Sequence, residues 1–232
     1  MDIETKKLLY EYLAGFITEN KRTKFEEIIS NRTRYLTVVL EDIYQPHNAS
    51  AVLRTCDCFG VQDVHIIENQ NHYEVNPDIA LGSSKWLTMI KHNGKENNTP
   101  DALATLRKKG YRIVATTPHE NDVDIQGLSL DKGPVALVFG TEMRGLTGNA
   151  LTLADEFVKI PMYGFTESFN ISVSAGISLF YLTEKLRNSA IDWQIPEDEK
   201  IEIKLNWARQ VIKRSDLIEN DFLKSTLFTK KQ

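Results

Sequence analysis

Cysteine is nearly absent: the 232-residue chain carries two, Cys56 and Cys58. A pair that close cannot staple a fold, so a disulfide scaffold is excluded and a reducing compartment is expected. Long apolar runs are absent as well; nothing approaches the roughly 18 residues that a membrane span needs. The opening MDIETKK has no apolar stretch behind it. No signal peptide is therefore expected, no membrane partner, and a cytoplasmic location. An excess of base is also missing. With 28 Lys+Arg against 32 Asp+Glu the net charge is −4. That excludes a chain coated uniformly in base but leaves room for a local basic patch.

Several common chemistries are missing too. There is no G-x-x-x-x-G-K-[ST] phosphate loop and no G-x-G-x-x-G dinucleotide fingerprint. There is no G-x-S-x-G elbow for a serine hydrolase. The five histidines (His47, His65, His72, His92, His119) never pair at metal-ligand spacing. Cys56-x-Cys58 on a helix points its thiols to diverging faces, so no metal site is expected.

What is present is ordinary globular composition, 41% hydrophobic and 26% charged. Apolar spacing predicts helix over 3–30, 48–59, 101–109, 147–153, 170–187 and 197–212. Short β-branched runs predict strands at 35–40, 64–67, 86–90, 111–116, 135–139 and 157–160. Alternation of the two predicts an α/β domain with a largely parallel sheet and helices on both faces. The wholly apolar VALVF at 135–139 suits a strand covered on both sides. The expected organisation is a helical extension at 1–34, an α/β domain at 35–190 and a helical extension at 191–232.

In such sheets ligands bind beyond the carboxyl ends of the strands, and three loops there carry unusual residues. The first runs from Glu41 to Asn48 into a helix bearing Arg54. Asn48 is a natural N-cap, and Arg54 lies on a flank that reads as buried; an ion pair with Asp57 is its alternative role. The second is Gly140-Thr141-Glu142-Met143-Arg144-Gly145-Leu146, where a glycine after a buried strand admits close backbone approach. Packing does not explain Glu142, and a solvated acid in a turn is the alternative. The third runs from Ile160 to Asn170. Ser168 and Asn170 stand at a helix start, with small residues Ser172, Ser174, Ala175, Gly176 and Ser178 behind them.

Asn48-x5-Arg54 with Phe59-Gly60, then GTExxGL at 140–146, then IPMxGxxxSxNxSV at 160–173, resemble in order and spacing the three motifs of the SpoU/TrmH branch of the SPOUT RNA 2′-O-methyltransferases. QPHNASAVLRTCDCFGV and GSSKW (82–86) are most similar to the members that act on guanosine 18 of tRNA. The resemblance implies a SPOUT-type sheet with a C-terminal deep trefoil knot. It also implies S-adenosylmethionine as cofactor, tRNA as substrate (rRNA or another tRNA position as the alternative), and a homodimer whose sites are completed by the partner chain. By motif position, Arg54 corresponds to the arginine that assists deprotonation of the ribose hydroxyl. Asn48 and Glu142 correspond to polar residues holding that arginine and the substrate end. Ser168 and Asn170 fall at the cofactor and catalytic pocket, and Thr116, Gly140, Ile160 and Phe169 at cofactor contacts made largely through backbone. A guanidinium is a poor base, so Arg54 is expected to act as base or as electrostatic activator.

The chain departs from the family in two places. Motif three reads Ser-Phe-Asn where Ser-Leu-Asn is usual, and the helix after it is poor in arginine, leaving Lys185 and Arg187 as substitutes. Residues 200–232 hold eight bases against four acids. Lys213 and Arg214 there, with Arg32 and Arg34 before the first strand, are the candidate phosphate contacts. A catalytically silent RNA-binding homologue is the reading from another class; it predicts loss of Arg54, Glu142 or Asn170, and the sequence retains all three.

Overall fold

The protein is described by a computed structural model covering residues 1–73, 82–118, 123–141 and 144–229. The chain divides into two compact units, 33–193 and a second formed by 1–32 with 194–232.

The larger unit is built on a seven-stranded sheet. Its strands are β1 (Leu36–Glu41), β2 (Asp63–Ile67), β3 (Thr88–His92), β4 (Arg112–Thr116), β5 (Val123–Asp124), β6 (Val135–Phe139) and β7 (Glu156–Lys159). The order is β3-β2-β1-β6-β4-β7-β5, and every pairing is parallel. All carboxyl ends therefore open on one edge, and the loops after β1, β4, β6 and β7 gather there.

Two-residue periodicity sorts the strand side chains onto two faces. Val38, Leu40, Val64, Leu137 and Phe139 meet α3 (Pro46–Phe59) and α6 (Ile171–Arg187) through Val52, Leu53, Ala175, Leu179 and Leu182. Val39, Ile113, Ala115, Ala136 and Val138 meet Leu103 and Leu106 of α4 (Thr99–Lys108) and Ala150 of α5 (Gly148–Thr152). Helices on both faces explain why β6 needs no polar side.

The second unit contains α1 (Ile3–Ala14), α2 (Glu19–Ser30), α7 (Glu197–Val211) and α8 (Ser215–Thr229). Its core joins Leu9, Tyr10 and Leu13 to Ile201, Leu205, Ala208 and Phe222. The single helix expected over 3–30 is two. Gly15 ends α1, and Thr18 stands before α2 in extended conformation. Pro46, rather than Asn48, sets the start of α3: proline occupies its first turn, where a missing N–H costs nothing, and Gln45 precedes it.

Candidate active site

Apolar β6 runs straight into Gly140, where the chain doubles back on itself. Thr141 N donates to Gly145 O at 3.0 Å, and Gly145 N returns a bond to Thr141 O at 2.9 Å. A Cβ on Gly140 would lie 2.3 Å from the Gly145 carbonyl carbon and oxygen, so only glycine permits this approach. Gly145 itself has φ +65°. Arg144 N donates to Thr141 Oγ1 at 3.1 Å, closing the turn. Glu142 and Met143 lie outside the described residues.

This loop forms one wall of a pocket of about 370 Å³ beyond β4, β6 and β7. The four expected cofactor positions, Thr116, Gly140, Ile160 and Phe169, all line it, as does Ser168. Thr116 Oγ1 donates to Val138 O at 2.9 Å. Its hydroxyl is committed to the neighbouring strand, which leaves the backbone for a ligand. Sequence reasoning did not single out Thr117, Met162, Arg144 or Lys159, which also line the pocket. Ser174 and Ser178 line it from α6, one turn apart; their small size was the signal. Thr117 is only 9% exposed, yet among the described residues its hydroxyl has no hydrogen-bond partner.

Beside the pocket, tertiary structure joins motifs one and three. Asn170 caps α6: its Oδ1 accepts from Ser172 N at 2.9 Å and from Ser172 Oγ at 2.5 Å. That leaves its amide nitrogen free to turn outward, and Nδ2 donates to Asn48 Oδ1 at 3.1 Å. Asn48 Nδ2 in turn donates to Gln45 Oε1 at 3.0 Å. Asn48 is thus a buried residue of the first turn of α3, not its cap. Arg54, expected on a buried flank, is exposed. The ion pair with Asp57 does not form; among the described residues nothing pairs with Arg54. Neither Asn48, Arg54 nor Asn170 lines the pocket.

Two of the expected phosphate contacts, Arg32 and Arg34, have partners within the fold. Arg32 is 2% exposed, with its guanidinium 5.6 Å from the ring centroid of Trp207. Arginine's flat, weakly hydrated head stacks on indole and so tolerates burial. Arg34 is held by Asp63 through Nε at 3.1–3.2 Å. Burial raises the Asp63 carboxyl above its ordinary range, and Arg34 opposes that shift. Lys213 and Arg214 are exposed in the turn after α7, where Arg214 adopts φ +57°. Lys185 and Arg187 serve the fold. Lys185 Nζ donates to Gln126 O at 3.0 Å and Leu128 O at 2.7 Å. Arg187 bonds Phe59 O at 3.2 Å and lies over Trp193.

Residues 35–180 match the SpoU rRNA Methylase family. A tRNA (guanosine(18)-2'-O)-methyltransferase of Borreliella burgdorferi is 44% identical over 208 residues, 90% of this chain and 93% of the relative. Among solved structures, the A. aeolicus TrmH/SpoU tRNA modifying enzyme is similar with a TM-score of 0.75 and 29% identity, over 84% of this chain and 98% of that one. An AdoMet-bound rRNA methyltransferase from Sinorhizobium meliloti is similar with a TM-score of 0.57 and 25% identity, over 68% of this chain and 59% of that one. The chain belongs to the SpoU methylase family.

Proposed function

We propose that this protein transfers a methyl group from S-adenosylmethionine to the ribose 2′-hydroxyl of guanosine 18 in tRNA, the activity named in its 44%-identical relative. The observation carrying the proposal is the pocket itself, where motifs two and three converge at the carboxyl ends of β4, β6 and β7.

The lining fits such a cofactor. Gly140, Ile160 and the 116–118 segment present backbone groups suited to adenine and ribose edges, and half-exposed Phe169 offers a ring face to a base. The Thr117 hydroxyl, without a partner among the described residues, is the kind of buried polar group that a ligand satisfies. When bound, S-adenosylmethionine supplies an electrophilic methyl on a sulfonium. The chain's task is to align the hydroxyl oxygen in line with that methyl and to manage the proton it loses. Arg54 is the group for that task. Its guanidinium is free of carboxylate partners among the described residues, so its charge is available to a phosphate and to the developing alkoxide. The Asn170–Asn48 bond holds the start of the helix that carries it.

Three further features belong to the proposal. The first is a homodimer completing each site: Val173 (46% exposed) and Phe180 (58% exposed) stand two turns apart on α6, an apolar stripe facing solvent in a single chain. The second is the trefoil knot, supported by the return of the chain after β7 to pack α6 on α3 beside β1. The third is the terminal helical unit as a holder of tRNA phosphates through Lys213 and Arg214, in the cytoplasm where tRNA is matured. No helix among the described residues is long and apolar enough to cross a membrane.

The test supplies purified protein with labelled S-adenosylmethionine and either unmodified tRNA or rRNA, and maps the product nucleotide. Methylation at guanosine 18 of tRNA is the expected result. Label confined to rRNA would reassign the substrate, and no transfer to either RNA would sink the proposal.

A further inference from the structure

Glu41 ends the central strand β1 and is 1% exposed. Among the described residues no lysine or arginine pairs with it. Its charge is instead met by donors from two distant segments. Thr99 Oγ1, in the first turn of α4, donates to Oε1 at 2.6 Å. Thr147 Oγ1 donates to the same oxygen at 2.7 Å, and Thr147 N donates to Oε2 at 2.9 Å. Burying a carboxylate without a cation is costly unless hydrogen bonds replace its water. Three such bonds do so here, and two of them converge on one residue.

That residue closes the glycine loop. Gly140 and Gly145 pin the loop from within, and Thr147 is where it leaves for α5. Thr147 Oγ1 also accepts from Ala150 N at 3.3 Å, so Glu41 fixes both the exit of the loop and the start of the next helix. The next residue, Asp42, adopts φ +55° and its Oδ1 accepts from Asn69 N, Gln70 N and Asn71 N at 2.8–3.0 Å. The strand end is thereby held rigidly on both sides.

We propose that Glu41 is a positioning residue for the cofactor pocket: through Thr147 it sets the wall formed by Gly140, Thr141, Gly145 and Leu146, and it acts on no reacting atom. The proposal rests on the cofactor reading above. Its test measures S-adenosylmethionine affinity by calorimetry, together with melting temperature, in Glu41→Gln, Thr147→Val, the double variant and Thr99→Val. Glu41→Gln and Thr147→Val should each weaken cofactor binding roughly tenfold, the scale of one lost charge-assisted hydrogen bond. The double variant should lose clearly less than the product of the two single losses, because the Thr147 hydroxyl bond to Glu41 is common to both. Thr147→Ser should restore binding. Thr99→Val removes a bond to the same carboxylate without touching the loop; it should lower the melting temperature and leave affinity unchanged.

Affinity loss that tracks melting temperature across all these variants, Thr99→Val included, would make Glu41 merely structural and overturn the proposal. Unchanged affinity in a folded Glu41→Gln would do the same. Failure of the unmodified protein to bind S-adenosylmethionine would instead strike the cofactor reading, so the two failures are separable.

Discussion

The pocket and Arg54 are opposites in how a single chain prepares them. The pocket wall is closed by backbone bonds between Thr141 and Gly145, tolerates no side chain at Gly140, and is tied to β1 through Glu41. Arg54 stands exposed on α3 with no partner among the described residues and outside the pocket lining. One chain preorganises the proposed cofactor pocket, while the charge proposed to activate the hydroxyl waits for something else to position it. In the proposed mechanism that is RNA phosphate or the partner chain. A free guanidinium is cheap to keep in water, whereas a ligand wall gains affinity by being rigid beforehand.

The largest expected effect separates these regions. Arg54→Ala should cut methyl transfer by roughly 10²-fold or more, the scale of a lost electrostatic stabiliser, with cofactor affinity intact. Equal losses in rate and affinity, read by single-turnover kinetics and calorimetry, would erase the distinction. Gly140→Ala should do the reverse. Its Cβ overlaps the Gly145 backbone, and strain of about 1–3 kcal/mol should appear mainly as lost cofactor binding. Unaltered binding would mean the wall is softer than its bonding indicates.

A smaller effect should touch neither region. His65 on β2 and His92 on β3 stack with ring centroids 5.2 Å apart and share a 2.9 Å contact between Nδ1 and Nε2. Burial first, then His92 and Lys109, pull His65 down to about 3. Burial and Lys109 lower His92 as well. Both folded-state values lie below the unfolded one, so the unfolded chain takes up protons that the native state refuses. Stability should therefore be full above about pH 6.5 and decline toward pH 5, by roughly 1–2 kcal/mol for His65, with His92 adding in the same direction. Thermal melts across that window check the slope, and His65→Asn should flatten it. Cofactor affinity of the folded protein should hold over the same range. Smallest of all, Lys213→Ala should reduce the salt slope of tRNA binding by about one phosphate's worth; an unchanged slope removes Lys213 from the RNA footprint.

Much of the frame is readable from local pattern. VALVF followed by glycine announces a buried strand and a tight loop, and Asn170 before ISVSAGISL announces a capped helix. Two elements escaped notice. β5 has two residues, too few for any periodicity. α8 did carry a signal, with Leu217, Ile218 and Phe222 at helical spacing behind Ser215. The residues whose surroundings differ from expectation fall into two groups. Asn48 and Arg54 are assigned by helix position, yet proline two residues earlier shifts the start of α3 and with it their surroundings. Arg32 and Arg34 look like solvated bases because nothing nearby in sequence names Trp207 or Asp63 as their partners.

By itself, the sequence determined the periodic strands and helices, the glycines that only tight backbone can use, and the ordered motifs that define the family. These depend on neighbours a few residues apart, where sterics and spacing suffice. Tertiary structure alone decided that Asn48 meets Asn170 across 122 positions, that Arg32 is buried against indole, and that Glu41 holds Thr147 across 106. A polar side chain's role depends on which donors, acceptors or rings surround it after folding. That environment is assembled by strand order, which brings together segments far apart along the chain.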